Sequence, residues 1–199
     1  MCIRDRVTDN VPGESRLATL HLSMSDASGD SAIVEYIDGK AVVHHSREFV
    51  IMTNDPSYDE QLALLSAQDF SDPSSSMPLP GNVNPVDRFA RATYFLNLLP
   101  DPTGERDAAA GVLAVARNVS VPFGAPYKDF GIYNTEYRTA ANLNDRRYYF
   151  ELSNAPNVIW ADLSAMNIEA GAPVRILDPD NLALSGNVTG AFTVAPAPF

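Results

Sequence analysis

Residues 49–62 read Phe-Val-Ile-Met-Thr-Asn-Asp-Pro-Ser-Tyr-Asp-Glu-Gln-Leu, and this stretch decides how the chain folds. The apolar run Phe49–Met52 is typical of a short buried strand that ends at the turn signal after it. Because Pro56 confines the residue before it to extended backbone, the strand cannot pass directly into a helix. Asn54 is therefore predicted to lie at the rim of a sheet, on a rigid element.

Helices are predicted in the middle of the chain. Ser57 and Glu60 form the pattern of a capping box, which predicts the start of the first helix. Asn84 followed by Pro85 predicts the second, because asparagine caps helices and proline is favoured at the first helical position. The apolar side chains of this second helix recur at helical spacing and predict one buried stripe, formed by Val86, Phe89, Ala92, Leu96 and Leu99.

A third helix is predicted over Glu105–Arg117, capped by Thr103 or Asp101. Its inward face is predicted to consist of Ala109, Val112, Leu113 and Ala116. The order of strands, then helices, then strands predicts the α+β class with antiparallel sheets, since the regular alternation of a parallel α/β fold is missing. Besides the run at Phe49, the predicted strands are Leu20–Ser25, Ser31–Ile37, Lys40–His45, Gly131–Ala141, Arg146–Leu152, Val158–Leu163 and Pro173–Leu177.

Composition narrows the classes of partner. The chain has 199 residues, the length of one ordinary domain, with 14 basic and 25 acidic side chains and a net charge of -11. Such a surface repels nucleic acid and anionic lipid, so neither is expected as a partner. No apolar run reaches 18 residues, which predicts no membrane span. The single cysteine excludes an intramolecular disulfide.

Two side chains are candidates for chemistry. The amide of Asn54, held at a sheet rim, could donate a hydrogen bond to an oxyanion formed during acyl transfer. The alternative is a turn asparagine that bonds its own backbone. Arg88 lies near the start of its helix, where a cation gains nothing from the helix dipole and could serve a catalytic carboxylate or a substrate acid. The alternative is a solvent-facing arginine paired with Asp87 or another acid.

Other reactive residues give weaker patterns. Cys2 could be an N-terminal nucleophile after loss of Met1, or a residue of a foreign leader. His44 and His45 are adjacent on a predicted strand and point to opposite faces, and with His21 they have no metal-ligand spacing. No metal site is therefore expected, and no cofactor, because motifs for nucleotides and dinucleotides do not occur.

The chain resembles the choloylglycine hydrolase family, which contains bile salt hydrolases and penicillin V acylases. The resemblance runs from about Leu20 to Gly190. It rests on four motifs in order: the hairpin Asp26–Lys40, the Thr-Asn-Asp-Pro segment Thr53–Leu62, the Leu-Pro-Gly-Asn-Val-Asn-Pro-Val-Asp-Arg-Phe segment Leu79–Ala92, and the later strands at Phe130–Thr139 and Arg146–Phe150. The form of the third motif is similar to the branch found in Gram-negative bacteria.

The resemblance implies the N-terminal-nucleophile fold, an αββα four-layer sandwich with antiparallel sheets. It implies hydrolysis of a linear amide through a cysteine acyl-enzyme, on conjugated bile salts, penicillin V or related N-acyl amides. The oxyanion-hole asparagine of the family falls on Asn54, and an arginine close to its nucleophile falls on Arg88. A homotetramer and a periplasmic or otherwise extracytoplasmic location are implied for the full-length protein.

One departure from the family sets a further expectation. The family hairpin follows the nucleophile by roughly a hundred residues, whereas here it begins within the first thirty. We therefore expect residues 1–6 to be a non-native leader and residues 7–199 to be a partial domain that lacks its N-terminal part and nucleophile and is inactive alone. The alternative function is a non-catalytic α+β binding or structural domain on the same scaffold.

Overall fold

The computed structural model describes residues 21–74, 79–126, 131–178 and 181–197. The chain divides into two units, residues 1–94 and 95–199. The expected leader at residues 1–6, Cys2 within it, and the predicted first strand residue Leu20 lie outside the described residues.

A three-stranded antiparallel sheet opens the first unit. It consists of β1 (Leu22–Ser25), β2 (Ser31–Ile37) and β3 (Lys40–His45), in the order β1-β2-β3. The turn between β2 and β3 is formed by Asp38 and Gly39, both with positive φ, as a tight two-residue hairpin requires. All three strands were predicted, and the structure confirms them except at His21, which precedes β1.

The predicted strand at Phe49–Met52 is wrong. These residues have no regular structure, although Phe49, Ile51 and Met52 pack against the buried cluster of Ile33, Tyr58 and Phe89. A run of apolar side chains indicates that a segment is buried. Here the segment is partly buried but does not form the backbone hydrogen bonds of a strand. The segment is instead fastened by buried side chains: the Ser31 hydroxyl donates to the Phe49 carbonyl at 2.8 Å.

Two helices complete the first unit. Helix α1 covers Tyr58–Ser66, and the Ser57 N–H donates to the Glu60 carboxylate at 3.2 Å, which confirms the predicted capping box. Helix α2 covers Pro85–Asn97 and ends beyond the boundary of the unit. The side chain of Asn84 accepts from the Asp87 N–H at 2.9 Å, so the predicted cap is also confirmed.

The buried face of α2 differs in part from the predicted stripe. Phe89 and Ala92 are buried as predicted, whereas Leu99 lies beyond the end of the helix. Tyr94 is buried as well and makes an edge contact with Phe70.

Helix α3 of the second unit covers Glu105–Asn118. Its N-cap is Gly104, so neither predicted cap is correct: the Thr103 hydroxyl bonds the Asp107 side chain instead. Leu113 is buried as predicted, but the prediction for Val112 is wrong because its side chain is 46% exposed. Polar pairs join α3 to the sheet of the same unit. Glu105 bonds Arg147 and the Tyr149 hydroxyl, and Arg117 bonds Glu151.

The sheet of the second unit has four strands, in the order β4 (Tyr137–Asn142), β5 (Arg147–Leu152), β6 (Val158–Asp162) and β8 (Gly186–Asn187). The first three are antiparallel and correspond to predicted strands, although β4 begins at Tyr137 rather than at Gly131. The fourth is short, was not predicted, and pairs with β6 in parallel at one side of this otherwise antiparallel sheet. Two further strands, β7 (Arg175–Ile176) and β9 (Thr193–Val194), form a separate antiparallel pair.

The architecture is mixed α+β with mainly antiparallel sheets, as the order of elements predicts. Among the described residues, no helix has the length and hydrophobicity needed to cross a bilayer.

Candidate active site

The two side chains that the sequence singled out lie in direct contact. Arg88 Nη2 donates a hydrogen bond to Asn54 Oδ1 at 2.8 Å, across 34 positions of sequence. Asn54 is exposed, and Arg88 is half-buried on the first turns of α2. The alternative of a turn asparagine bonded to its own backbone does not describe this geometry, because the side-chain oxygen of Asn54 accepts from a distant arginine.

Arg88 is held in place from its own side of the site. Its Nε donates to the Val83 carbonyl at 2.9 Å, while Asn84 caps the helix that carries it. In the described part of the chain no carboxylate lies within ion-pair distance of Arg88. The alternative pairing with Asp87 is therefore absent, and the Asp87 carboxylate accepts instead from the Asn82 N–H at 2.9 Å.

The loop before α2 is folded back onto the helix by a second arginine. Arg91 Nη1 donates to the carbonyls of Pro80 and Asn82, each at 2.8 Å. Burial lowers the pKa of Arg91 from its usual value, and the neighbouring Asp87 carboxylate partly offsets this effect. These bonds explain why a Gly-Asn-Val-Asn segment can hold one conformation in front of the helix.

The contact with Arg88 decides how the amide of Asn54 is turned. A guanidinium has only donors, so it must face the oxygen of the amide and not its nitrogen. The Nδ2 donors of Asn54 therefore point away from Arg88, and among the described residues no acceptor is paired with them. An exposed amide N–H beside a fixed positive charge is suited to bind a carbonyl oxygen or an oxyanion.

Sequence reasoning missed the buried carboxylate that anchors the start of α1. Glu35, only 3% exposed, accepts from the Tyr58 N–H at 2.9 Å, and its oxygens lie 3.1 Å from His21 Nδ1 and 3.3 Å from His44 Nε2. The available signal was an acidic residue at an inward-facing position of β2. Burial and the Glu35 charge raise the pKa of the neighbouring Tyr58 phenol to about 12.

The histidines follow the predicted division between faces. His44 is turned toward Glu35, whereas His45 is exposed and lies 3.0 Å from the Asp30 carboxylate. Within the described ranges, no group of three or more His, Cys, Asp or Glu side chains is arranged to hold a metal ion. The expectations of no metal and no cofactor stay predictions.

A separate cavity of about 230 Å³ lies within the second unit. Two of its polar side chains are bonded to nearby backbone, with Asn157 donating to the Leu182 carbonyl and Asn181 accepting from the Ala183 N–H, and Asp178 lines it as well. The rest of its lining is mostly apolar and includes Tyr148, Phe150, Ile159, Trp160, Leu184 and Phe192. This cavity therefore offers mainly apolar space.

Comparison with known proteins identifies the class of hydrolase. The model of linear amide C–N hydrolases of the choloylglycine hydrolase family matches residues 7–178. The chain therefore belongs to the choloylglycine hydrolase family, as its motifs predict.

Individual relatives agree with this assignment. The chain is 39% identical to the penicillin V acylase of Pectobacterium atrosepticum over an alignment of 206 positions, which covers 95% of this chain and 54% of that protein. The solved structure of penicillin V acylase from Agrobacterium tumefaciens is 40% identical, with a TM-score of 0.79 over 90% of this chain and 57% of that one. The chain thus spans just over half the length of these relatives, and the predicted fold class of an N-terminal-nucleophile hydrolase is confirmed.

A more distant structure shares the fold alone. A variant of conjugated bile acid hydrolase from Clostridium perfringens is 19% identical, with a TM-score of 0.63 over 74% of this chain and 51% of that one.

Proposed function

We propose that this chain is part of a linear-amide hydrolase that cleaves penicillin V or a related N-acyl amide. The observation that carries the proposal is the contact between Asn54 and Arg88, because it joins the two family motifs at one spot. Penicillin V is favoured over conjugated bile salts because the penicillin V acylases are 39% and 40% identical to this chain, whereas the bile acid hydrolase is 19% identical.

The proposed reaction proceeds through an acyl-enzyme. A cysteine thiolate attacks the amide carbonyl, the C–N bond breaks as the amine leaves with a proton, and water then hydrolyses the thioester. Asn54 donates a hydrogen bond to the oxyanion that forms in each step. Arg88 keeps the Asn54 amide turned with its donors outward and adds positive charge beside the developing negative charge.

The nucleophile is not assigned to any of the 199 residues. Cys2 is the only cysteine, and the sequence around it lacks the family pattern of partner residues. We propose that the nucleophile belongs to a part of the protein outside this chain, and that the chain alone is inactive.

The test uses a fusion protein, in which the part of the Pectobacterium acylase that this chain does not match is joined to its N-terminus. We expect the fusion protein to cleave penicillin V faster than a glycine-conjugated bile salt, and the isolated chain to cleave neither. Faster bile-salt cleavage would contradict the substrate assignment. A soluble, folded fusion protein without any amidase activity would favour the alternative of a non-catalytic domain.

Two further proposals rest on the resemblance to the family. The full-length protein is a homotetramer, which light scattering of the full-length protein tests. It is also extracytoplasmic, in keeping with the Gram-negative form of its third motif, Leu79–Ala92. Fractionation of the native cells tests this, and recovery in the cytoplasm would contradict it.

A further inference from the structure

We propose that Gln61 is a positioning residue, which holds the turn that carries Asn54 in its working conformation. This inference rests on the proposed function, because it assigns Gln61 to the same site. Gln61 lies one turn inside α1, is only 2% exposed, and is the most deeply buried polar side chain among the described residues. A buried amide is costly unless its polar atoms are bonded, so its partners identify its role.

Both ends of the Gln61 amide bond the turn. Its Oε1 accepts from the Thr53 hydroxyl at 2.9 Å, immediately before Asn54, and its Nε2 donates to the Pro56 carbonyl at 3.3 Å, two residues after Asn54. One side chain therefore spans the segment on either side of Asn54. No strand ladder is available to do this, because residues 49–57 have no regular structure.

The same network reaches the helix that carries Arg88. Thr53 Oγ1 also lies 3.1 Å from the carbonyl oxygen of Pro85, the first residue of α2, so its one proton is shared between this carbonyl and Gln61 Oε1. The contact of Thr53 with both Gln61 and Pro85 thus links the Asn54 turn to the base of α2. This link fixes the relative position of Asn54 and Arg88 independently of their own hydrogen bond.

The other buried polar side chains of the first unit support the ends of the same segment. Ser31 bonds the Phe49 carbonyl, and Glu35 bonds the Tyr58 N–H. Gln61 supports the centre, where a shift moves the amide most. Misplacement of a catalytic group by about 1 Å can lower a rate by about 10²-fold, so a loosened turn should be visible in kcat.

The first experiment measures the turn directly in the chain as it stands. Gln61→Met keeps the length of the side chain but removes both hydrogen bonds, and Gln68→Met, two residues beyond the end of α1, is the control with the same substitution. We expect hydrogen–deuterium exchange of a peptide covering residues 53–58 to rise by about tenfold in Gln61→Met, and to stay within about twofold in the control. Unchanged exchange in Gln61→Met overturns the inference.

The second experiment separates positioning from general destabilisation in the fusion protein. We expect Gln61→Met to lower kcat for penicillin V by about 10- to 10²-fold while KM stays within about threefold, and Gln68→Met to change neither. Wild-type kcat in Gln61→Met overturns the inference. If Gln61→Met fails to fold, Thr53→Val removes the bridging hydroxyl without changing a residue of α1 and should lower kcat in the same way. Thr53→Ser keeps the hydroxyl and should leave kcat close to that of wild type.

The two experiments keep the failures apart. Faster exchange in Gln61→Met, combined with a fusion protein that cleaves no amide, overturns the proposed function and with it the positioning role of Gln61 in that reaction. Normal exchange combined with an active fusion protein overturns the role of Gln61 alone.

Discussion

Arg88 makes two contacts that depend on the shape of its guanidinium. Its Nε bonds the Val83 carbonyl while its Nη2 bonds Asn54 Oδ1, so one planar group bridges the loop before α2 and the Asn54 turn. A lysine has the same charge but a single ammonium group, which cannot reproduce this fork. The role of Arg88 therefore depends on the shape of its guanidinium as well as on its positive charge.

Replacement of Arg88 by lysine tests this distinction. In the fusion protein we expect Arg88→Lys to lower kcat by about tenfold, the loss corresponding to one hydrogen bond from a charged group. The measurement is steady-state kinetics with penicillin V, and the control is Arg106→Lys at an exposed position of α3. Equal kcat values for Arg88→Lys and the control would show that charge alone suffices.

Tyr58 predicts a pH dependence of stability at alkaline pH. Its pKa is raised to about 12 in the folded chain by burial and by the Glu35 charge, whereas an unfolded tyrosine titrates near about 10. Between these values the unfolded chain releases the proton and the folded chain keeps it, so stability falls as pH rises through this window.

The measurement is the urea midpoint at pH 9 and at pH 11 for wild type and Tyr58→Phe. We expect the decrease from pH 9 to pH 11 to be smaller in the variant, because phenylalanine has no proton to release. Equal decreases in both proteins would contradict the assignment.

The candidate site could be predicted only in part from the sequence. Asn54 and Arg88 lie in motifs that contain turn and helix-capping residues, so both were found from the sequence. The structure brings them into contact. Glu35 and Gln61 were missed because each lies inside an ordinary element, and nothing local shows which backbone groups its side chain reaches. Contacts across 23 and 8 positions, such as Glu35 with Tyr58 and Gln61 with Thr53, are set by how the elements pack.

For helices and strands, predictions from the sequence were reliable where a turn or capping residue determines the structure of its own neighbours. The β2–β3 hairpin and the starts of α1 and α2 depend on Asp38-Gly39, Ser57 and Asn84, all of which act on their own neighbours. The Phe49–Met52 strand was wrong because an apolar run shows that a segment is buried, but not whether another strand is beside it.

Short strands escaped prediction for a related reason. β8 and β9 have two residues each, too few for any alternation to be seen. The parallel pairing of β8 with β6 is a tertiary contact across more than twenty residues, so no local pattern specifies it.

The capping box of α1 predicts a defined loss of stability. The Ser57 hydroxyl donates to the Glu60 carboxylate at 2.6 Å and so holds that carboxylate where it accepts from the Ser57 N–H; loss of an N-cap side chain costs about 1 kcal/mol. We expect Ser57→Ala to lower the free energy of unfolding by that amount in urea denaturation. Ser23→Ala, at an exposed position of β1, is the control and should change it little; equal losses in the two variants would contradict the capping role.

At the scale of the whole molecule, the chain exposes apolar side chains on both units. Val43 on β3 and Val194 on β9 are 60% and 61% exposed, and Ile168 is 70% exposed. Within the described residues β3 is also an edge strand of its sheet, a position that favours pairing with another chain. Exposed apolar groups beside a strand edge favour association between chains.

Association of the isolated chain is therefore expected. Light scattering during size exclusion should give a mass above that of one chain at about micromolar concentration. Val43→Lys places a charge on the β3 edge and should lower the apparent mass. A wild-type chain that elutes as a uniform monomer and melts cooperatively would contradict this expectation.

The proposed reaction requires the amide of Asn54 more than any other described side chain, and one kinetic comparison isolates its contribution. In the fusion protein, kcat for penicillin V is measured for wild type and for Asn54→Ala. Loss of one oxyanion-hole donor predicts a decrease of about 10²–10³-fold. A kcat for Asn54→Ala close to that of wild type would contradict the assignment of Asn54 to the oxyanion.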